Sequence, residues 1–466
     1  VPGRTVHPLD RRRISLALGL SLALSIQVSP VLAAGGPSAG LCREALQPRS
    51  SLSNYRRVLR SLQSGRRPAA ISDYRCFSDG AIPAAGLTSQ QGYAQVIRQG
   101  FHSQVLYDAL EDRFRTILAR DQQEGFKRRS VLGWAGGYAS EAALIAYERT
   151  GDQRFLELFV RYFDAVLERR DDRLNRFDDY HQRVMKAWGS SRIDPNRWIA
   201  LITQNAHMLG PATRFAVLVH ERPALARWQS TAERYVRASE DTLAEFEDDW
   251  QQHPLAPPDS RWYLRPPNRE AEATNRVHIV GRVWLNLARL RADARYSERV
   301  TALIRIFEQG VEREPDGSVH WNYFPYFATA EMQRYPNGQD LSEPVWKGAL
   351  TVPFLLEASA AGYPLPPELL QAIARSLEEV VLGGGDLQRN LSPRGSRAID
   401  AQRDAEKIGM LQALTGVLAY GALRPAIVSR LMDLVATRPD LFPGGWLGSD
   451  AGLMGYAALL PRPAHP

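Results

Sequence analysis

Cysteine, lysine and long apolar runs are all scarce in this chain of 466 residues, and each scarcity excludes something. Two cysteines, Cys42 and Cys76, are too few and too far apart to build a zinc or iron–sulfur site. In an oxidising compartment they would form one staple across the N-terminal segment; otherwise they are two unpaired thiols. No His-Glu-x-x-His spacing, Gly-x-Ser-x-Gly elbow or phosphate-binding Gly loop occurs, so neither a metal nor a cofactor is expected. Lysine stands only at 127, 186, 347 and 407, so the net charge of +7 rests on arginine. No basic tract carries interleaved aromatics, which argues against a nucleic-acid partner. Arginine does pair bidentately with carboxylates, and an acidic polymer is therefore permitted.

The one long apolar run, Ile14 to Ile26, follows Arg11-Arg12-Arg13 and precedes Pro30 and the small pair Ala33-Ala34. Basic flank, short apolar core and small-residue exit read as a secretory signal over residues 1–34. The run falls short of the ~20 residues that span a bilayer, which makes a retained anchor the weaker alternative. The expected mature protein is exported, to the periplasm or beyond, with no stable membrane insertion. Residues 35–94, rich in Ser, Gly, Pro and Arg, read as an irregular N-terminal arm, and residues 95–466 as the main domain.

From about Gln95 the pattern is helical. Phe101, Val105, Leu106, Leu110, Phe114 and Ile117 recur at helical spacing. Ser140 to Tyr147, a Gly-Asp turn and Phe155 to Leu167 then make a helix, a tight turn and a helix. The unit recurs at Val283–Leu290 with Tyr296–Val311, at Asn205–Val219 with Ala224–Phe246, and at Val352–Ala360 with Pro367–Leu382. A last pair spans Glu406–Leu418 and Ile427–Ala436, and almost nothing alternates like a strand. Hairpins of this length cannot bury both faces alone, so they stack. The sequence predicts an all-α fold, a complete or incomplete α/α toroid of five to six hairpins. The long irregular stretches 169–197, 248–274 and 313–343 would gather at one mouth, where function usually sits.

Three clusters carry candidate chemistry. Thr203-Gln204-Asn205-Ala206-His207 opens one helix, with Arg214 two turns on; Asn275-Arg276-Val277-His278 opens another, with Arg282 one turn later; His320-Trp321-Asn322-Tyr323-Phe324-Pro325-Tyr326 follows the Asp316-Gly317 turn. Helix N-termini favour anions. Asn205, His207, Asn275, Arg214 and Arg282 are therefore candidates to hold a substrate carboxylate. Neutralising that charge acidifies the adjacent C–H bond, which His278 or Tyr323 would deprotonate while Tyr323 or Tyr326 protonates the leaving oxygen. Trp134, Trp188, Trp262 and Trp321 are candidates to stack on sugar faces. The plainer alternatives are that the Asn and His residues cap helices, that the aromatics fill a core, and that Trp134, beside Gly133, Gly136 and Gly137, covers a close helix crossing.

With Leu132-Gly133-Trp134-Ala135-Gly136-Gly137, then Tyr147, Thr150-Gly151-Asp152 and Phe155, the chain resembles the first hairpin of six-hairpin α/α-toroid carbohydrate-active enzymes. That group includes alginate- and heparin-type polysaccharide lyases, glucuronyl C5-epimerases and several glycosidases. Asn275 to Phe307, Asp316-Gly317 and Trp321-Asn322-Tyr323 resemble the later helix pair and aromatic loop of the group. In many relatives that loop leads to an acidic pair and a Ser-His-Gly-like turn; here it reads Glu343-Pro344-Val345-Trp346-Lys347-Gly348, so Lys347 stands at the histidine position. Lys347 either binds a carboxylate, replaces the base, or is a surface charge in an inactive copy. The paired Asn/His helix openings and the aromatic loop, on a fold of this kind, lead to the expectation of an exported lyase cleaving a uronate-containing polysaccharide or oligosaccharide by β-elimination. A hydrolase, with Glu343 and Glu270 or Glu272 as carboxylates, a C5-epimerase, and a non-catalytic glycan-binding protein are the alternatives on the same fold.

Overall fold

The structure, a computed structural model, describes residues 103–124, 130–258, 260–328, 341–384, 386–392, 397–404, 412–438, 440–442 and 445–460. The signal-like segment, the arm, both cysteines, Phe101 and the start of the last predicted hairpin lie outside those residues.

Twelve main helical segments follow one another: α1 Ser103–Glu124, α2 Gly137–Thr150, α3 Arg154–Leu167, α4 Ile202–Glu221, α5 Gln229–Ala244 and α6 Thr274–Leu290. Then come α7 Ala294–Gln309, α8 Val345–Ala360, α9 Pro367–Arg375, α10 Gln412–Ala422 of 3-10 geometry, α11 Ala426–Thr437 and α12 Asp450–Ala458. The even-numbered segments pack in sequence, α2 on α4, α4 on α6, α6 on α8, α8 on α10 and α10 on α12, and α12 returns onto α2. The ring is closed. Each odd-numbered segment lies outside it, so the predicted toroid is present and complete, with six hairpins.

Burial explains which helices are inner. The outer α3 buries one face, through Phe155, Leu158, Phe159, Tyr162, Phe163 and Val166, and keeps the other polar. The inner α4 is buried almost all round, from Ile202 to Thr213 and again from Phe215 to Val219, because it is pressed between the outer layer and the lumen. Inner helices hand over to outer ones through short turns. At the first, Gly151 takes φ of 72° and donates its N–H to the Tyr147 carbonyl. At another, the Asp293 carboxylate accepts the Arg295 N–H at 3.0 Å.

The return connections are long and enter the inner helices at their N-terminal ends, so they share one mouth. They contain nine short strands among the described residues: hairpins β1 Phe177–Asp178 with β2 Arg183–Val184, β3 Gly189–Ser190 with β4 Ile199–Ala200, and β8 Val311–Arg313 with β9 Val319–Trp321. A three-stranded antiparallel sheet adds β5 Trp250–Gln252, β6 Arg261–Arg265 and β7 Glu270–Ala271. Strands of two to five residues are too short to show alternation, which is why the sequence hid them.

Candidate functional site

The mouth is organised from the N-terminal turn of α2 outwards. Ser130 and Ser190 both donate hydroxyls to Gln204 Oε1 in the first turn of α4, the latter at 3.1 Å. This ties the entry to α2, the β3–β4 hairpin and α4 together. A Cβ at Gly133 would lie 2.9 Å from the Gln204 carbonyl oxygen, and one at Gly137 would lie 2.6 Å from the His207 carbonyl oxygen and 2.7 Å from its Nδ1. The glycines therefore serve a close helix crossing, and Trp134 sits on top of it.

Trp134 is half-buried, with its ring 5.2 Å from that of His207. Two cations share its indole: Lys347 Nζ lies 6.0 Å from the ring centroid and Arg192 Cζ lies 5.6 Å away. Helices α2 and α8 stand three steps apart in either direction round the ring, so the Trp134–Lys347 contact spans the lumen. Neither Lys347 nor Arg192 forms an ion pair with a described carboxylate. Burial, with Arg276 and Arg192 alongside, pushes the Lys347 ammonium down to about 8, against the pull of Glu343 and Glu272.

Two carboxylates lie beneath this cationic rim. Glu272 accepts from Thr203 Oγ1 at 3.1 Å, from the Ala273 N–H at 2.9 Å and from Arg276 Nη1 at 3.1 Å. Burial alone would raise it, but Arg276 and Arg265 hold it below the usual carboxylate range. Glu343 is wholly buried; burial pushes it up to about 8, although the Trp321 indole and Thr351 hydroxyl donate to it.

Below the rim all six inner helices line the lumen, with Tyr138, Glu141, His207, Arg282, Leu350, Gly416 and Met454 among the lining residues, and leave about 20 Å³ of space. That is room enough for a water molecule. At the cavity wall, Glu141 pairs with both Arg214 and Arg282, Arg214 also with Glu148, and Arg282 also with Glu357. Four inner helices, α2, α4, α6 and α8, are cross-linked by this one network.

Several sequence-predicted roles are corrected here. Asn205 is wholly buried and accepts the Trp188 N–H at 2.9 Å while donating to the Leu201 carbonyl at 2.8 Å, so it clamps a connection to α4 rather than a ligand. Arg214 and Arg282 are committed to the carboxylates of the protein itself. His278 is wholly buried, stacked 4.7 Å from the Phe354 ring and edge-on to Phe307, and burial pushes it down to about 3. Its place is in the core, among the aromatic rings of α6, α7 and α8. Asn275 is likewise wholly buried. His207 lies between Trp134 and Tyr138, and burial pushes it down to about 4. Trp321 is buried against Phe307, and Trp188 and Trp262 donate their indole N–H groups to the Val166 and Glu272 carbonyls, so none offers an open face. Tyr326 points to α7, donating to Gln309 Oε1 at 2.5 Å, away from the lumen.

Of the predicted set, Trp134, Lys347 and Glu343 are brought together, and half-buried Tyr323 lies within electrostatic reach of Arg192. The sequence reading missed Arg192, which sits in a hairpin loop with no motif round it, and the role of Arg276. Among the described residues no group of three His, Cys, Asp or Glu side chains could hold a metal ion, and no helix is long and apolar enough to cross a membrane.

Fold and site together define a closed six-hairpin α/α toroid with a cationic, tryptophan-floored mouth. No family model matches the sequence, and a comparison with curated proteins gives no match. Among solved structures the chain is similar to an inactive variant of alpha-1,6-mannanase from Salegentibacter sp. HEL1_6 in complex with alpha-1,6-mannotriose. The identity is 12%, covering 77% of this chain and 98% of that one, with a TM-score of 0.44. It is similar to cellobiose 2-epimerase from Spirochaeta thermophila DSM 6192, at 15% identity over 70% of this chain and 85% of that one, TM-score 0.41. A family 105 glycoside hydrolase of C. acetobutylicum ATCC 824 matches at 12% identity over 74% of this chain and 99% of that one, TM-score 0.41. At these values the likeness is one of outline and transfers no activity.

Proposed function

We propose that the protein is an exported enzyme that cleaves a uronate-containing polysaccharide by β-elimination at the toroid mouth. One observation carries this reading: Lys347 and Arg192 converge on the half-buried Trp134 ring, and neither forms an ion pair with a described carboxylate. A sugar face covers the indole while its carboxylate meets the two cations. Drawing that negative charge out of the sugar acidifies the adjacent C–H bond, which is the step elimination needs. Tyr323, close to Arg192, supplies a phenol for the leaving oxygen. The signal-like run of residues 14–26 supports export.

Hydrolysis is less well supported. It needs two carboxylates facing one glycosidic bond. Glu272 is bound to three donors, Glu343 is wholly buried, and Glu270 is paired with Arg265 across the β6–β7 hairpin. The test is ultraviolet absorbance while the chain is incubated with acidic polysaccharides and with neutral ones. Absorbance from unsaturated uronate, confined to the acidic set, is the expected result. New reducing ends without absorbance would move the assignment to hydrolysis, and tight binding without product would make the toroid a glycan-binding protein.

A further inference from the structure

We infer that Lys347, as its neutral amine, is the proton-abstracting base of the elimination, which leaves Arg192 to hold the substrate carboxylate. The inference rests on the function proposed above and assigns the role that His207 and His278 do not fill. Of the two cations over Trp134, Arg192 cannot serve, because a guanidinium does not give up its proton in a protein. Lys347 can, and its position favours the neutral amine in three ways. It stands in the first turn of α8, where the positive end of the helix dipole disfavours an ammonium. Arg276 of α6 and Arg192 of the β3–β4 loop face it. Its half-buried side chain also sheds part of its hydration. Glu272 and Glu343 oppose these effects, but Glu272 is already shared with Arg276, and Glu343 accepts from the Trp321 indole and the Thr351 hydroxyl.

The step balances without any further reactant. The free electron pair of Lys347 Nζ takes the proton from the carbon bearing the carboxylate, and the amine becomes an ammonium. The C–H electron pair becomes the new carbon–carbon double bond, and the bond to the glycosidic oxygen breaks with its electrons on that oxygen. The Tyr323 phenol protonates the oxygen. The phenolate and the ammonium then return to their resting forms by exchange with solvent, leaving an unsaturated uronate on one fragment and a hydroxyl on the other.

The experiment compares the full chain with its K347R and K347A variants, reading kcat from the unsaturated product and Kd for the acidic polymer by calorimetry. Arginine keeps the charge but cannot act as a base. K347R is expected to bind within about threefold of the parent while losing at least ~100-fold in kcat, the usual scale of a general base. Wild-type kcat should rise through one ionisation near pH 8, with the variant's residue of activity flat there. Added primary amines should restore turnover to K347A, a rescue that does not depend on how well K347R folds. A K347R variant with kcat within a few-fold of the parent would overturn the inference and leave Lys347 as a carboxylate anchor. Wild-type chain that forms no unsaturated product would instead sink the proposed function, and the inference with it.

Discussion

Replacing Glu141 by glutamine removes one charge from the network below the mouth and keeps the shape of the side chain. Burial alone would raise this carboxyl above its ordinary value of 4.5, yet Arg214 and Arg282 bring it down to about 2. A fall of that size is worth about 3 kcal/mol at neutral pH, at ~1.4 kcal/mol for each factor of ten. The same figure follows from a second route, since breaking a buried pair and stranding its partner costs ~3–5 kcal/mol. The sign is fixed by the direction of the shift. A depressed carboxyl stabilises the fold above 4.5 and loses that contribution as pH falls towards 2. Urea unfolding followed by circular dichroism at pH 7 should therefore show E141Q about 3 kcal/mol less stable, with the deficit shrinking in acid. The control is E157Q, which breaks a pair with Arg227 whose side chains are 47% and 53% exposed and should cost less than ~0.5 kcal/mol. If E141Q matched E157Q at pH 7, or kept its full deficit near pH 2, the network would not be holding the ring together.

Other consequences are as direct. Gly137→Ala drives a Cβ to 2.6 Å from the His207 backbone oxygen, so it should cost ~1–3 kcal/mol by thermal unfolding, whereas Gly210→Ala, with nothing within 4 Å, should be neutral or slightly stabilising. His278→Phe should leave product formation unchanged, because that ring only stacks in the core; lost turnover in a folded variant would return His278 to the mechanism. His181 is bonded to Asp178 at 2.9 Å and to Asp249 at 3.2 Å; burial would lower it, but the two carboxylates raise it to about 9. Its contribution is complete below 6.5 and is lost as pH rises through 9, so H181Q should be less stable than the parent at pH 6 and equal to it near pH 10.

The hairpins were legible because outer helices such as α3 have one wet face, and a wet face imposes a period on the sequence. Completeness of the ring was not. It depends on α12 returning to α2 across some 300 positions of chain, and no local pattern encodes a contact of that range. The mouth position of the long connections did follow from the sequence, since each lies between an outer helix and the next inner one.

The site was legible in its elements and not in their directions. Asn205, Trp188 and Trp262 are strong hydrogen-bonding groups, and the sequence shows that such groups occur without showing what they face. In the structure they face backbone amides and carbonyls of the connections, because a long irregular segment brings in many such groups that must be satisfied. Arg214 and Arg282 were read as carboxylate binders, which they are, but the carboxylates are Glu141, Glu148 and Glu357.

That internal pairing is also what isolates the mouth. In the lumen, Glu141, Glu148 and Glu357 are set against Arg214 and Arg282, beside a cavity of about 20 Å³. Positive charge without a described partner is left at the level of Trp134, where the N-terminal ends of the inner helices add to it. Under the proposed function, an anionic saccharide is attracted to that level of the ring. Under the proposed mechanism the reacting carbon rests against Lys347, which, unlike its neighbour Arg192, combines a positive charge with the ability to lose a proton.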